Sequence, residues 1–243
     1  MNVPLLQVEN VSITFGGLKA LQNVSISVES GTVAGVLGPN GAGKTTLFNA
    51  ISGFYRPSTG SVRLDGREVV GMRPSRICKL GLARTFQITR PFADLSVLDT
   101  VRIGAFNRTN NLGEATRIAE RTLERVGLSD KRNELGKRLT VIERKRLEVA
   151  RALATQPTVL LLDEVAAGLR SNEVGQIVSL VKSVAADGVA VLMIEHVMEA
   201  ILGVSDHITV LSYGQVLAAG LPQQVMTDPR VVEAYLGREY ADA

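Results

Sequence analysis

Residues 38–45, Gly-Pro-Asn-Gly-Ala-Gly-Lys-Thr, fit the pattern Gly-x-x-x-x-Gly-Lys-Ser/Thr in full. Gly38, Gly41 and Gly43, with Pro39, Asn40 and Ala42 between them, let the backbone curl until successive N–H groups point at one place, an arrangement suited to phosphate oxygens. Lys44 can reach β- and γ-phosphates, and the Thr45 hydroxyl can ligate Mg²⁺. A second constellation closes the apolar run Val159-Leu160-Leu161-Leu162 with Asp163-Glu164. At the end of a strand, Asp163 suits Mg²⁺ through water, and Glu164, pointing the other way, can polarise a water against the γ-phosphate. Two adjacent carboxylates there are costly without a cation, and Mg²⁺ with Lys44 is expected to supply the charge. The two motifs together define a nucleoside-triphosphatase or a kinase.

Such a loop needs an apolar strand before it and a helix after it. Residues 33–37, Val-Ala-Gly-Val-Leu, read as a buried parallel strand, and a helix is expected from Lys44 to about Ser52. The helix adds its partial positive N-terminal charge to the phosphate cradle. Residues 8–15, 24–28 and 61–64 carry strand patterning, interrupted by Phe15-Gly16-Gly17 and Asp65-Gly66. The stretch 88–155 is mainly helical, with a one-faced helix running through Ala115, Ile118, Ala119, Thr122, Leu123 and Val126. Strand–helix alternation then returns: strands at 159–162, 189–194, 208–211 and 216–219, a helix at 174–185, and a closing helix from Asp228-Pro229 to Leu236. The pattern predicts an α/β fold with a mostly parallel sheet.

The chain has 243 residues, 45% apolar and 21% charged, with no tryptophan, the balance of a globular protein able to bury a core. Its net charge of +3 is scattered, and aromatics are only 4%, so a nucleic-acid surface is not expected. The densest basic region, 117–151, is interleaved with Glu and Asp and reads as a solvated helical face. The single cysteine, Cys78, has no partner for an internal disulfide or a metal site, which fits a reducing compartment. No apolar run approaches the roughly 18 residues of a membrane span. The N-terminus lacks the charged and apolar regions of a secretion signal.

Further pieces narrow the class: Thr85-Phe86-Gln87, Ile194-Glu195-His196 after a buried strand, and Leu139-Thr140-Val141-Ile142-Glu143 before a basic helix. With Phe15 ahead of the first glycines and the two motifs above, this order resembles the ATP-binding cassette (ABC) ATPases over essentially the whole chain. Gly16-Gly17-Leu18, Leu47-Phe48-Asn49, Gly53-Phe54-Tyr55, Arg84-Thr85-Phe86-Gln87, Ala166-Ala167-Gly168-Leu169 and Ala234-Tyr235-Leu236-Gly237 are most similar to the larger ATPase subunit of branched-chain amino acid importers. Importers of ureas, amides and other small solutes share several of these segments.

The resemblance implies a P-loop ABC-ATPase fold in one domain, 1–243. Its nucleotide-binding core would span 1–87 and 156–243, with an N-terminal antiparallel β portion and an inserted helical subdomain at 88–155. It implies ATP and Mg²⁺ as ligands. Phe15 would stack on adenine or else fill the core as a strand aromatic. Residues 38–45 with Thr46 would hold the phosphates. Thr45, Gln87 and Asp163 would serve the metal, and Glu164, His196 and Gln87 the hydrolysis. Gln87 would also lie where a membrane partner docks. Implied partners are a second ABC ATPase subunit, two transmembrane permease subunits and, indirectly, a solute-binding protein, with no nucleic acid. The implied location is peripheral, on the cytoplasmic face of the plasma (inner) membrane. A P-loop kinase would lack Gln87, the helix signature and His196, and a soluble chromosomal or ribosomal cassette would be fused or split by a long coiled coil.

The family's signature, Leu-Ser-Gly-Gly-Gln, is here Leu139-Thr140-Val141-Ile142-Glu143, without glycines. Thr140 and Glu143 have the spacing of a capping box, so the helix start is expected to persist. Arg170 and Val165 replace the usual Asn or Asp and the usual Pro. These changes bear on contact with a second subunit and favour a heterodimer.

Overall fold

The computed structural model describes residues 4–85 and 94–236. The chain opens with β1 (Leu6–Phe15), β2 (Leu18–Val28) and β3 (Val33–Leu37), followed by α1 (Lys44–Ile51). β4 (Thr59–Leu64), β5 (Arg67–Glu68), α2 (Pro74–Lys79) and β6 (Leu82–Arg84) follow. Next come α3 (Val97–Ala105), α4 (Leu112–Arg125), two short 3₁₀ turns and α5 (Val141–Leu153). The remainder is β7 (Val159–Asp163), α6 (Ser171–Ala186), β8 (Ala190–Ile194), α7 (Met198–Val204), β9 (His207–Ser212), β10 (Gln215–Gly220), α8 (Pro222–Met226) and α9 (Pro229–Leu236).

Two sheets result. One is antiparallel, in the order β2-β1-β4-β5; the other runs β10-β9-β3-β8-β7-β6 and is parallel apart from the β9–β10 hairpin. The three central strands of the larger sheet are buried along their whole length. Their side chains alternate between two cores. Val33, Leu160, Leu162, Val191 and Met193 face the cluster built with α3 to α6. Ala34, Val36, Val159, Leu161, Leu192 and Ile194 face the cluster shared with α1 and the antiparallel sheet. Burial on both faces is why these strands read as unbroken apolar runs.

The observed elements extend the expected ones. β1 and β2 pair along nearly their full length across Gly16-Gly17, so weakly alternating flanks become strand through cross-strand bonding. Sequence periodicity missed β5, α2, β6, α7 and α8, each shorter than the window over which a period is recognisable.

α3 crosses α5 at backbone contact. A Cβ on Gly104 would lie 2.2 Å from the Arg151 carbonyl oxygen, whereas one on Gly175, exposed in α6, would meet nothing within 4 Å. Gly104→Ala is therefore expected to destabilise the chain by about 1–3 kcal/mol through overpacking. Gly175→Ala should stabilise it by about 0.5–1 kcal/mol through helix entropy. Urea unfolding midpoints moving in opposite directions are the check.

Candidate active site

Every candidate group among the described residues except the 140–143 helix start and Phe15 sits beyond the C-terminal end of a strand of the larger sheet. Gly38 follows β3, Asp163 ends β7, Glu195 and His196 follow β8, and Tyr213-Gly214 follows β9. β3 lies between β8 and β9, where strand order reverses, a place where α/β sheets open a crevice. The crevice is a cavity of 610 Å³ lined by Phe15, residues 40–46, Glu164, His196, Tyr213 and others.

The loop 38–45 takes the curled form expected of it. Gly41 and Gly43 have φ of +81° and +104°, the left-handed region that favours glycine. Gly43 has a second requirement, because a Cβ there would sit 2.8 Å from the Ala20 carbonyl oxygen. The β9–β10 turn braces the loop from outside: Gly214 N–H donates to Ala42 O (3.0 Å), and Gln22 N–H donates to Gly214 O (2.7 Å). Lys44 is only 7% exposed, and its Nζ donates to the carbonyls of Gly38 (2.6 Å) and Pro39 (3.0 Å). Burial pushes its pKa down, against the opposing pull of Glu164 and Asp163. An ammonium so placed is ready to exchange two carbonyls for an anion. Thr45 is exposed to the cavity and Thr46 half-exposed.

Asp163 is paired otherwise than expected. Its Oδ2 accepts from Arg84 Nη2 at 2.8 Å, with both side chains under a tenth exposed. Arg84 also donates to Asn49 Oδ1 (2.7 Å) and Ser52 Oγ (3.2 Å) and lies 5.4 Å over the Phe48 ring. An arginine 79 positions away thus joins Lys44, which also feels the charge of both Asp163 and Glu164, in answering these carboxylates. Among the described residues no group of three or more His, Cys, Asp or Glu could hold a metal unaided. The Thr45 hydroxyl and Asp163 carboxylate are few, hard oxygen donors, which fits a Mg²⁺ that brings phosphate oxygens with it.

Glu164 and His196 meet directly, with His196 Nε2 at 2.7 Å from Glu164 Oε1. A carboxylate held against an imidazole beside a phosphate-type loop can accept a proton from water. Phe15 is 44% exposed on the cavity wall and packs edge-on against Tyr55 at 5.1 Å, so it is a surface platform and not a core aromatic. Gln87 lies outside the described residues, as does Phe86.

The helix start at 140–143 forms its capping box. Thr140 N–H donates to Glu143 Oε2 (2.8 Å), and Glu143 N–H donates to Thr140 Oγ1 (3.4 Å). The Thr140 N–H holds the Glu143 carboxyl below its ordinary range. Leu139 is buried, Ile142 packs onto the core, and only Val141 of the two replacing residues is well exposed, at 43%.

Three contributors escaped sequence reasoning. Arg84 is one. Glu195, 1% exposed, accepts from Ala166 N–H at 2.7 Å, tying the turn after Glu164 to the turn bearing His196, whose N–H lies close enough to favour its charge. A carboxylate directly after a buried strand was its signal, equal in kind to Asp163. Lys145 on α5 donates to the Glu164 carbonyl at 2.9 Å, for which no local signal exists.

The sequence profile of the family described as ABC transporter matches residues 21–167, and that of the branched-chain amino acid ATP-binding cassette transporter matches residues 215–241. The chain is 38% identical to the high-affinity branched-chain amino acid transport ATP-binding protein BraF of Pseudomonas aeruginosa, covering 98% of this chain and 99% of that protein. It is 36% identical, at the same coverage, to LivG of Escherichia coli, which carries the same description. Among solved structures it is similar to a nucleotide-free ATP-binding cassette from an ABC transporter (TM-score 0.89, 32% identity, 97% of this chain and 100% of that one). It is equally similar to the ADP conformation of the cassette MJ1267 (TM-score 0.89, 32% identity, 98% and 100%).

Two outcomes follow from the buried charges. Arg84→Met strands Asp163 without its cation and should cost about 3–5 kcal/mol in chemical denaturation. Burial raises the Glu195 carboxyl above its ordinary 4.5. The unfolded chain therefore releases this proton first, so the stability it contributes is full below pH 4.5 and is lost as pH rises through the folded value. Glu195→Gln should consequently gain on the parent as pH is raised from 4.5, read as a widening difference in denaturation midpoints.

Proposed function

Because the chain belongs to the ABC transporter family, we propose that it is the ATP-hydrolysing subunit that energises an importer of branched-chain amino acids. Its α/β fold is that of the ABC ATPase cassettes. The names of its relatives and the profile match at 215–241 support the solute class. The observation that carries the enzymatic reading is the Glu164–His196 pair, at 2.7 Å, facing the Lys44 loop across one cavity.

On this reading the phosphates of ATP take the inward N–H groups of residues 38–46, and Lys44 leaves the Gly38 and Pro39 carbonyls for them. Phe15 stacks on adenine. Thr45, with Asp163 acting through water and Gln87, would hold Mg²⁺, which neutralises phosphate charge when bound. Glu164 takes the proton of the attacking water. The His196 Nε2–H that now meets Glu164 turns to the γ-phosphate. The chain divides into a nucleotide-binding core and a helical insert at 88–155, the division we favour.

Among the described residues no helix is long and apolar enough to cross a bilayer. Transport therefore needs permease subunits, two by analogy with the family, with a solute-binding protein acting through them, and a peripheral position on the inner face of the membrane. A groove of 360 Å³ between the core and the insert, lined by Phe54, Cys78, Ala83 and Ile103, is the surface we assign to a permease. The second cassette is taken to be a different chain. In a face-to-face pair each ATP would lie between one loop and the other subunit's signature. Here the Thr140 N–H is engaged by Glu143 and the Glu143 N–H by Thr140 Oγ1, and Val141 stands exposed beside them. The productive site therefore pairs this Lys44 loop with a partner's glycine signature.

The chain alone should hydrolyse ATP slowly, and the rate should rise severalfold or more when a paralogous cassette and permeases are added. In that assembly Lys44→Ala should hurt more than the equivalent change in the partner, while Glu164→Gln should keep MgATP binding and lower turnover by about 10²–10⁴. Robust cooperative hydrolysis by the isolated chain contradicts the heterodimer, and unchanged turnover of Glu164→Gln contradicts the general base.

A further inference from the structure

The carboxylate read as the general base rides on a strained backbone. Glu164 has φ of +51°, a left-handed conformation that a non-glycine residue keeps only where its surroundings impose it. Beside the turn's own bond, Ala167 N–H to Glu164 O at 3.3 Å, three ties impose it. Glu164 N–H donates to Ile194 O at 2.9 Å, and Ala166 N–H donates to Glu195 Oε1 at 2.7 Å. Both anchor the turn to the end of β8 within the sheet. The third tie comes from elsewhere: Lys145 Nζ on α5 donates to the Glu164 carbonyl at 2.9 Å. The same ammonium is near enough to Glu195 for its charge to act there. Lys145 thus bonds one half of the turn that aims Glu164 at His196 and acts on the other through its charge.

We propose that Lys145 is a positioning residue for Glu164, through which the lie of α5 sets the aim of the catalytic carboxylate in this same chain. The inference rests on the reading of Glu164 as general base. α5 begins at the 140–143 start assigned above to the subunit interface, and Lys145 stands little more than one turn further along. A helix is stiff over that length, so a shift imposed at its start moves Lys145 and, with it, the Glu164 carbonyl. A helix start that has lost its phosphate-facing glycines retains on this account a second task, reporting partner contact to its own active site.

The test is steady-state ATP hydrolysis by the chain assembled with its partner cassette and permeases, comparing Lys145→Met, Lys145→Arg and Glu164→Gln. Lys145→Met should lower kcat about 10- to 100-fold, the scale of a small misplacement of a reacting group, with KM for ATP within about twofold of the parent. Lys145→Arg, which keeps a cationic donor, should restore most of the rate. A parent-like kcat for Lys145→Met overturns the proposal, and so does an arginine variant as slow as the methionine one. A loss of MgATP binding parallel to the loss of rate also overturns it, since a merely structural lysine would act that way. If Lys145→Met does not assemble, Lys145→Gln is judged by the same criteria. Glu164→Gln separates the two failures: inactive beside a parent-like Lys145→Met, it removes this proposal alone, whereas fully active it removes the general base and this inference together.

Discussion

Charge buried at one edge of a parallel sheet must be paired, and the active-site side of the molecule is arranged around that requirement. Lys44, Asp163 and Glu195 are all under a tenth exposed, as is the Arg84 side chain, and they gather at the C-terminal ends of β3, β6, β7 and β8. Each has a specific answer. Arg84 neutralises Asp163, the loop's own carbonyls hold Lys44, and the Ala166 N–H meets Glu195. A residue placed to satisfy one of these charges is thereby placed at the rim of the same crevice.

Support for the loop follows the same economy. Gly43 and Gly214 lack side chains because the backbone around Ala20 passes within contact of both. The β1–β2 ribbon, the loop and the β9–β10 hairpin are bonded together through Ala42, Gln22 and Gly214. The cradle is held from behind before any nucleotide arrives, so its N–H groups need little reorganisation to meet one.

The start of α5 shows how a motif can change meaning without losing its structure. The capping box satisfies its own helix end, and a self-satisfied end has fewer N–H groups to offer an outside acceptor. The same helix still contacts the Glu164 turn through Lys145. Local stability and long-range contact have been kept while the glycines that allow close approach are gone.

The sequence by itself determined whatever depends on neighbours along the chain. The curl of residues 38–45, the fully buried strands 33–37 and 159–163, and the Thr140–Glu143 box are set by contiguous residues and fixed spacings, and the structure realises each. The short elements α2, β6 and α7 were illegible, because six, three and seven residues hold too little of a period and their packing alone defines them. Only the tertiary structure decided which cation meets Asp163, which carboxylate ties the Glu164 turn to the His196 turn, and which lysine caps the Glu164 carbonyl. Those contacts join residues 79, 29 and 19 positions apart. At such separations the chemistry of each residue is visible in the sequence, but its partner is chosen by the order in which the strands lie in the sheet and by how α5 packs on it.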